Sequence, residues 1–500
     1  MFHHCQTVLY LSKEPEQDPC GRRYAVLNKT VIDHLRQKIG AGNVYHERED
    51  LLVYGYDATP EIAGFPDVAV FPENREGLQA ALEVSRGEGL AVTPRGSATG
   101  LSGGSTPSRG GMVLGLTRMN RIREIDEENL TLTAEAGVIT VDLFNAAAAK
   151  GLFYPPDPGS QNVSTLGGNV AENAGGLRGL KYGVTRNYVM ALSGFLYDGT
   201  EFHAGNKCVK DVAGYSLRDL LVGSEGTLGI ITEVTVRLIN PPQDKRTLLA
   251  YFRDIRTAGE AVSKIIAARI IPATLEIMDK TTINCVEDYA GIGLPREMGA
   301  LLLIELDGHP AVVAEEAEGV RKILEEIHAD VIRQAANAEE ASQLAAARRT
   351  ALSAVARMSP TTILEDATVP RSRLAETFAE IERLSEKYGI RVATFGHAGD
   401  GNLHPTAVTD ERNREEIARV HAFFSDLYEK VLSMGGTVSG EHGIGIAKKD
   451  YLLRQFGEGG MEVMRRIKKG FDPDGRLNPG KIFLDEGVPA GSRIPGGTND

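Results

Sequence analysis

The chain has 500 residues, of which 42% are hydrophobic and 25% are charged, the composition of an ordinary globular protein. A single hydrophobic core stops growing at roughly 250–300 residues, so this length predicts at least two domains. Acidic residues outnumber basic ones by 68 to 55, and the resulting net charge of −13 disfavours nucleic acid and anionic lipid as general partners.

Targeting and redox signals are sparse. No apolar run approaches the roughly 18–20 residues of a membrane span, and the N-terminus lacks the basic start of a signal peptide. Four cysteines are too scattered for a disulfide framework, and they lack the spacing of an iron–sulfur or zinc site: Cys5, Cys20, Cys208 and Cys285. These features predict a cytoplasmic protein, either free or held at the inner membrane by a partner.

The first half of the chain mixes strands and helices. Residues 1–27 form an N-terminal extension, and a strand–helix–strand unit is predicted over 66–96. An Asp-Gly turn predicts a hairpin over 188–205. The remaining predicted elements are a helix at 28–40, strands at 112–122 and 130–138, a helix at 141–151, and a helix, glycine turn and strand over 217–239.

The second half repeats one pattern three times. Strand, helix and strand follow each other over 246–279, 300–335 and 361–399. Such repeats predict an antiparallel sheet with helices on one face, packed as a second domain on the first. We therefore expect an α+β protein with domains at 28–241 and 242–460, a C-terminal segment at 461–484 that docks back on the first domain, and a flexible tail at 485–500.

Glycine is concentrated in three clusters. The 56 glycines are about one residue in nine, and the clusters lie at 94–104, 155–183 and 223–230. PRGSATGLSGG follows a predicted strand but fits neither the Walker nor the dinucleotide fingerprint. Its interleaved Ser97 and Thr99 would expose hydroxyls beside backbone N–H groups, as an anion-binding loop requires. Alone it could be a plain hairpin loop, but three such clusters favour an extended ligand that carries a diphosphate.

Two later motifs carry histidine. FGHAGDGNLHP places His397 and His404 on either side of a Gly-Asp-Gly turn, and GEHGIG contains Glu441. Two imidazoles and a carboxylate suit Zn, Mn or Fe(II) and leave a coordination position open for a substrate. The alternative is that a histidine here is a buried hydrogen-bonding residue in a tight turn.

Seven motifs in order resemble one enzyme family. They are PRGSATGLSGG, YPPDPGSQNVSTLGGNVAENAGG, LKYGVTRNYV, GYSLRDLLVGSEGTLGIITEVTVRLI, GHAGDGNLHP, GEHGIG and DPDGRLNPGKIF. Together they resemble the FAD-linked 2-hydroxy-acid oxidoreductases of the vanillyl-alcohol oxidase and para-cresol methylhydroxylase superfamily, whose members include the flavin-binding chain of glycolate oxidase and the D-lactate and D-2-hydroxyglutarate dehydrogenases. The resemblance implies a PCMH-type FAD-binding domain of two α+β subdomains, followed by a ferredoxin-like antiparallel-sheet cap domain.

The resemblance also implies where FAD binds. Some relatives attach flavin to a histidine in the first loop, where this chain has Thr99, so non-covalent FAD is expected. The implied cofactor-binding residues are Pro94, Arg95, Gly96, Ser97, Ala98, Thr99, Gly100, Ser102, Gly103, Pro156, Asp157, Pro158, Gly159, Ser160, Thr165, Gly167, Gly168, Asn169, Ala171, Glu172, Asn173, Gly175, Lys181, Tyr182, Gly183, Val184, Glu225, Gly226, Gly229, Ile230, Ile231, Asn402 and Asn478.

For the reaction, the resemblance implies a divalent metal on His397, His404 and Glu441, with His442 as the catalytic base. A 2-hydroxy acid would chelate the metal, lose its hydroxyl proton to His442 and pass a hydride to flavin N5. Arg348 aligns best with the family's substrate arginine and would clamp the carboxylate; its alternative role is a solvated helix charge. Leu364 stands where the 2-hydroxyglutarate enzymes have a lysine, which favours glycolate or D-lactate.

Several alternatives remain open. A metal-dependent hydrolase of a phosphorylated substrate would explain the histidines but would not need three glycine clusters. A flavin subunit without catalysis would not need the metal motifs. D-2-hydroxyglutarate is the alternative substrate within the family. The expected partners are iron–sulfur and second flavin subunits, or a quinone that accepts electrons, and a second copy in a homodimer.

Overall fold

The structure is a computed structural model, and it describes residues 27–484. The predicted flexible tail and nearly all of the predicted N-terminal extension lie outside these residues. Within them, none of the helices combines the length and the apolar character needed to cross a membrane.

The first sheet carries the first glycine cluster at its edge. Strands β2, β4 and β3 run parallel, with β1 antiparallel beside β2, in the order β1-β2-β4-β3. The predicted strand–helix–strand unit is present, and Asn74 caps its helix by accepting the N–H of Gly77. The elements are α1 (Lys29–Ile39), β1 (Val44–Tyr45), α2 (Arg48–Leu51), β2 (Val68–Val70), α3 (Arg75–Gly87), β3 (Val92–Arg95) and β4 (Met112–Gly115).

A second, fully antiparallel sheet follows in the order β5-β6-β9-β7-β8. The predicted hairpin is its β7–β8 pair. The second and third glycine clusters lie in the connections that precede β7 and β9. The elements are β5 (Ile122–Asp126), β6 (Thr131–Glu135), α4 (Thr140–Ala148), α5 (Leu166–Glu172), α6 (Gly179–Tyr182), β7 (Val189–Phe195), β8 (Glu201–Gly205), α7 (Leu217–Leu221) and β9 (Ile230–Arg237).

Residues 244–409 form an eight-stranded antiparallel sheet, in which β13-β10-β12-β11-β16-β17-β14 are adjacent and β15 pairs with β17. Its strands are β10 (Asp244–Phe252), β11 (Thr274–Asp279), β12 (Ala300–Gly308), β13 (Val331–Gln334), β14 (Thr361–Leu364), β15 (Ala367–Thr368), β16 (Arg391–His397) and β17 (Asn402–Thr409). Its helices are α8 (Ile255–Ala267), α9 (Lys280–Ala290), α10 (Pro310–Glu326), α11 (Ala338–Arg349), α12 (Ala351–Val355), α13 (Leu374–Tyr388), α14 (Arg414–Ser433) and α15 (Lys449–Phe471). The α+β class and the antiparallel sheet are confirmed.

The prediction that helices cover one face of this sheet is wrong. One face packs against α8, α10, α13 and α14, whereas α9, α11 and α12 cover the other. Strand β12 shows why, because every residue from Ala300 to Asp307 is buried. Its apolar residues from Ala300 to Ile304 do not alternate with polar ones, which is typical of a strand covered on both faces.

We propose the domain boundary at residue 242, between β9 and β10. The C-terminal segment that follows α15 runs beside β3: Leu477 forms a parallel bridge with Val92, whose N–H donates to the carbonyl of Arg476 at 2.8 Å. The last described residues therefore lie on the first sheet, next to the first glycine cluster.

Candidate metal and flavin site

Two adjacent strands bring the histidines together. Strand β16 ends at His397 and β17 starts at Asn402, with His397 opposite Asn402 and Phe395 opposite His404. Side chains two apart in a strand share a face, so both imidazoles lie on the same side of the sheet. Gly401 closes the turn at φ +83°, and a Cβ there would lie 2.1 Å from a backbone carbonyl oxygen. The two rings are perpendicular, with their centroids 5.2 Å apart.

Glu441 completes a set of three donor atoms. Its Oε1 lies 2.9 Å from Nε2 of His397 and 3.3 Å from Nε2 of His404. The donor atoms of the three residues all lie within 4.8 Å of one another. Burial opposes ionisation of the carboxyl, but the two imidazoles hold the pKa of Glu441 well below its usual range. Two buried nitrogens and an anionic oxygen fit a divalent cation such as Zn or Mn.

Asp366 organises the loop that carries Glu441 and His442. A single oxygen, Oδ2, accepts the backbone N–H groups of Gly440, Glu441 and His442 at 2.8–2.9 Å, and also the Ser439 hydroxyl at 2.8 Å. Burial opposes ionisation of this carboxyl, but His442 and a nearby lysine lower the pKa of Asp366. Three consecutive N–H groups on one carboxylate oxygen fix the direction of the loop.

His442 lies against the donor set. Its ring stacks on that of His404, with centroids 5.0 Å apart and planes 10° apart. Burial lowers the pKa of His442 to about 4, so the neutral imidazole is favoured. Within residues 27–484, its Nδ1 has no hydrogen-bond partner. An uncharged, buried imidazole next to a metal site can accept a proton.

The two adjacent arginines of α11 have different surroundings. Arg348 is 4% exposed, its guanidinium lies 2.6 Å from Oε2 of Glu276, and it stands over the Phe395 ring. It is therefore not a solvated helix charge. Arg349 reaches the other domain, where it donates to Oδ2 of Asp157 at 3.0 Å. The side chain of Arg349 is about a quarter exposed, in contrast to that of Arg348.

The three glycine clusters converge on one another. Gly96 packs on Thr165, Gly226 packs on Pro94, and the amide of Asn478 donates to the carbonyl oxygens of Gly104 and Glu225 at 2.9 and 2.7 Å. Several buried oxygens in these segments have no hydrogen-bond partner among the described residues: Ser102 Oγ, Ser105 Oγ, Ser224 Oγ and Asn478 Oδ1. Since buried polar groups are nearly always hydrogen-bonded, these oxygens fit a polar ligand such as FAD.

Some side chains that were expected to contact the cofactor form hydrogen bonds within the protein instead. The guanidinium of Arg95 points into the domain and donates to the carbonyl of Tyr56 at 2.7 Å, among others. Lys181 and Tyr182 both contact Asp307 of the eight-stranded sheet, at 2.5 Å to Oδ1 and 2.7 Å to Oδ2. These side chains hold the loop or join the domains, so only their backbone is free to meet a cofactor.

The glycine clusters contact the GEHGIG loop, residues 440–445, which carries Glu441. A Cβ at Gly175 would lie 2.6 Å from Glu441 Oε2, and one at Gly445 would lie 2.1 Å from the carbonyl oxygen of Ser102. The carboxylate of Glu225 accepts the N–H groups of Ile444 and Gly445 at 2.7 and 2.6 Å. The three donor residues, His397, His404 and Glu441, and the glycine clusters therefore face one shared space between the two halves of the chain.

Sequence reasoning missed Glu276, Asp366 and Lys448. Each is buried, and Glu276 stands in the middle of the apolar strand β11. An acidic residue inside such a run is the one signal that could have singled it out, because a buried carboxylate needs a partner.

Comparisons with known proteins find relatives over most of the chain. Residues 66–205 match the family model for the FAD binding domain, and residues 241–482 match that for the C-terminal domain of FAD linked oxidases. Glycolate oxidase subunit GlcD of Bacillus subtilis is 50% identical, over 92% of this chain and 98% of its own length. The subunit of the same name from Escherichia coli K12 is 38% identical, with 90% of each chain covered. D-lactate dehydrogenase of Archaeoglobus fulgidus is 37% identical, with 86% and 95% covered.

Solved structures share the fold. p-Cresol methylhydroxylase superposes with a TM-score of 0.75 at 17% identity, with 91% of this chain and 96% of that chain covered. Alkyldihydroxyacetonephosphate synthase gives a TM-score of 0.71 at 18% identity, with 90% and 86% covered. At these identities the likeness extends to the fold alone.

Proposed function

The chain belongs to the FAD-linked oxidases, and we propose that it oxidises a small D-2-hydroxy acid, glycolate or D-lactate, to the 2-oxo acid. As a member of this family it is an FAD-dependent oxidoreductase. The observation that carries the substrate proposal is the cluster of His397, His404 and Glu441 beside His442, facing the flavin segments. Relatives named glycolate oxidase subunit and D-lactate dehydrogenase support it.

Each bound group has a defined task. A divalent cation on His397, His404 and Glu441 would supply Lewis acidity to the substrate hydroxyl, and oxidised FAD would supply the hydride acceptor. The glycine clusters hold FAD, and we propose that they do so without a covalent bond, because Thr99 offers no imidazole. Burial of the site at the seam excludes water from the reacting groups.

His442 takes the proton in this proposal. Its imidazole is adjacent in sequence to Glu441 and stacked on His404, so it lies next to any hydroxyl that reaches the donor set. The Asp366 carboxylate fixes the backbone of His442 and therefore the place from which the ring acts. A general base must be held within hydrogen-bond distance of the proton that it removes.

An arginine of α11 is proposed to clamp the substrate carboxylate. The resemblance to the family favours Arg348, but its guanidinium already lies on the buried Glu276. Arg349 is the neighbour whose charge is partly exposed and whose partner, Asp157, belongs to a flavin segment. We therefore place the clamp at Arg349. Leu364 ends β14 and provides no second cation, which favours a monocarboxylate over D-2-hydroxyglutarate.

Electrons must leave the flavin. The relatives' name, glycolate oxidase subunit, supports assembly with other chains. We propose an iron–sulfur subunit and a second flavin subunit, or a quinone, as the acceptor. Cys208 and Cys285 are free thiols, which suits the reducing cytoplasm that we propose as its location.

Anaerobic reduction of the flavin tests the proposal. The purified protein should be yellow, and glycolate or D-lactate should bleach its absorbance, whereas L-lactate and D-2-hydroxyglutarate should bleach it far more slowly. Bleaching by D-2-hydroxyglutarate alone would reject the monocarboxylate assignment. A colourless protein that FAD does not reconstitute would reject the oxidase and favour a metal-dependent hydrolase.

A further inference from the structure

Both histidines of the metal set have a carboxylate on the side away from the site. Nδ1 of His397 lies 2.7 Å from Oε1 of Glu276, while its Nε2 faces Glu441. Nδ1 of His404 lies 3.9 Å from Oδ1 of Asp366, while its Nε2 also faces Glu441. This separation is too long for a hydrogen bond, and in the described part of the chain neither Nδ1 of His404 nor Oδ1 of Asp366 has a hydrogen-bond partner.

Each carboxylate is matched by a buried cation. Arg348 lies 2.6 Å from Oε2 of Glu276, and Nζ of Lys448 lies 3.8 Å from Oδ2 of Asp366 and 3.3 Å from Oε2 of Glu365. The side chains of Arg348, Glu276, Lys448 and Asp366 are at most 5% exposed. Burying four charges is costly unless they are paired, so their arrangement behind the two histidines calls for a reason.

We infer that Glu276 is a positioning residue of the metal site, held by Arg348; Asp366 lies beyond hydrogen-bond distance of His404 and acts on the site through the loop that carries Glu441. A carboxylate at Nδ1 keeps the proton on that nitrogen, which leaves Nε2 as the lone-pair donor aimed at the cation. The buried cations hold the carboxylates in place and neutralise them. In this inference Arg348 acts on the metal site through Glu276.

This inference rests on the proposed function, because it assumes that the donor set binds a metal. The test uses the FAD-loaded enzyme, stripped of metal and titrated with Zn²⁺ or Mn²⁺ against a chelating dye. Glu276→Gln should weaken metal binding about tenfold to a hundredfold, the usual effect of losing such a partner. Bound FAD should stay unchanged, and added metal should restore turnover.

Two further variants separate geometry from charge and from folding. Glu276→Asp keeps the charge but shortens the reach to Nδ1, so it should also lose affinity; full affinity would mean that charge alone matters and would overturn the positioning role. Glu61→Gln is the matched control, because Glu61 also pairs with a histidine, His421, at 3.4 Å, and neither residue belongs to the set of three donors. Its metal affinity should equal that of wild type.

Arg348→Lys distinguishes positioning from clamping. Acting through Glu276, it should lower metal affinity severalfold, and excess metal should correct its turnover. A substrate clamp would raise KM at every metal concentration and leave metal affinity alone, and that result would overturn the inference. Failure of the wild type to bind either metal would reject the metal step of the proposed function. Wild-type binding with an equal affinity in Glu276→Gln would reject only the positioning role.

Discussion

His442 and Glu441 are adjacent in sequence but have different partners. The carboxylate of Glu441 faces two imidazole nitrogens, whereas the ring of His442 stacks beside them. His442→Asn should keep metal and FAD but slow flavin reduction by roughly 10²–10⁴-fold, the usual contribution of a general base. Glu441→Gln should instead empty the metal site. Stopped-flow absorbance and metal analysis measure both effects, and metal loss confined to the His442 variant would mean that the two roles are reversed.

Arg349→Lys should raise KM about tenfold to a hundredfold while metal and FAD stay bound. Lysine keeps the charge but loses the planar fork, so a two-point contact with the carboxylate becomes a one-point contact that is weaker by roughly 1.5–3 kcal/mol. Arg357 is the control, since it is exposed and lies over the Tyr289 ring. Arg357→Lys should behave as wild type. An unchanged KM in Arg349→Lys would remove the clamp from this residue.

At the scale of elements, the C-terminal segment forms hydrogen bonds with both the first and the third glycine cluster, which are proposed to hold FAD. Asn478, at φ +43°, donates from one amide to the carbonyl oxygens of Gly104 and Glu225. Asn478→Ala would leave both buried carbonyls without this donor, at about 1–3 kcal/mol each. FAD affinity and the melting temperature should both fall, as measured by flavin fluorescence and thermal unfolding.

The matched control for this element is Asn129→Ala. Asn129 also donates its side-chain amide, at 2.9 Å to Asp126, but it is exposed in the turn between β5 and β6. FAD affinity should be unchanged in this variant. An equal, small effect of both asparagine variants would show that the C-terminal segment does not hold the flavin loops.

At the scale of the whole molecule, the metal set and the FAD loops come from different halves. His404 lies on β17 of the eight-stranded sheet, away from the glycine clusters in sequence. His404→Ala should abolish metal binding and turnover but leave FAD largely bound, because its ring contacts the metal set and not the flavin loops. Metal analysis and absorbance measure this directly. Full activity without metal would contradict the Lewis-acid role.

Glu225 should behave differently, because it joins the halves. Its carboxylate accepts two N–H groups of the GEHGIG loop, while its own loop is a flavin segment. Burial raises the pKa of Glu225, and its hydrogen bonds from the N–H groups of Ile444 and Gly445 oppose that rise. Glu225→Ala should weaken both FAD and metal binding. Loss of FAD with unchanged metal affinity would mean that the two sites are not coupled through this residue.

The sequence by itself determined the family and the α+β class, and it predicted the FAD segments and the candidate ligands, because these depend on short motifs whose residues act close to their neighbours in the chain. A Gly-Asp-Gly turn returns His404 beside His397 without help from elsewhere. The same local reasoning predicted most of the longer strands and helices up to β16. It missed β1, α2, β5, α5 and α6 in the first half and α9, β17, α14 and α15 in the second.

Only the tertiary structure decided which side chains meet across the sheets. Glu276 and Asp366 stand 121 and 38 residues from the histidines they face, and no local pattern joins residues so far apart in sequence. Adjacent residues of α11 point about 100° apart around the helix axis, and this separates Arg348 on Glu276 from Arg349 on Asp157. The eight-stranded sheet has an apolar cluster on each face, and only the packing in the structure shows that α9, α11 and α12 cover the second face.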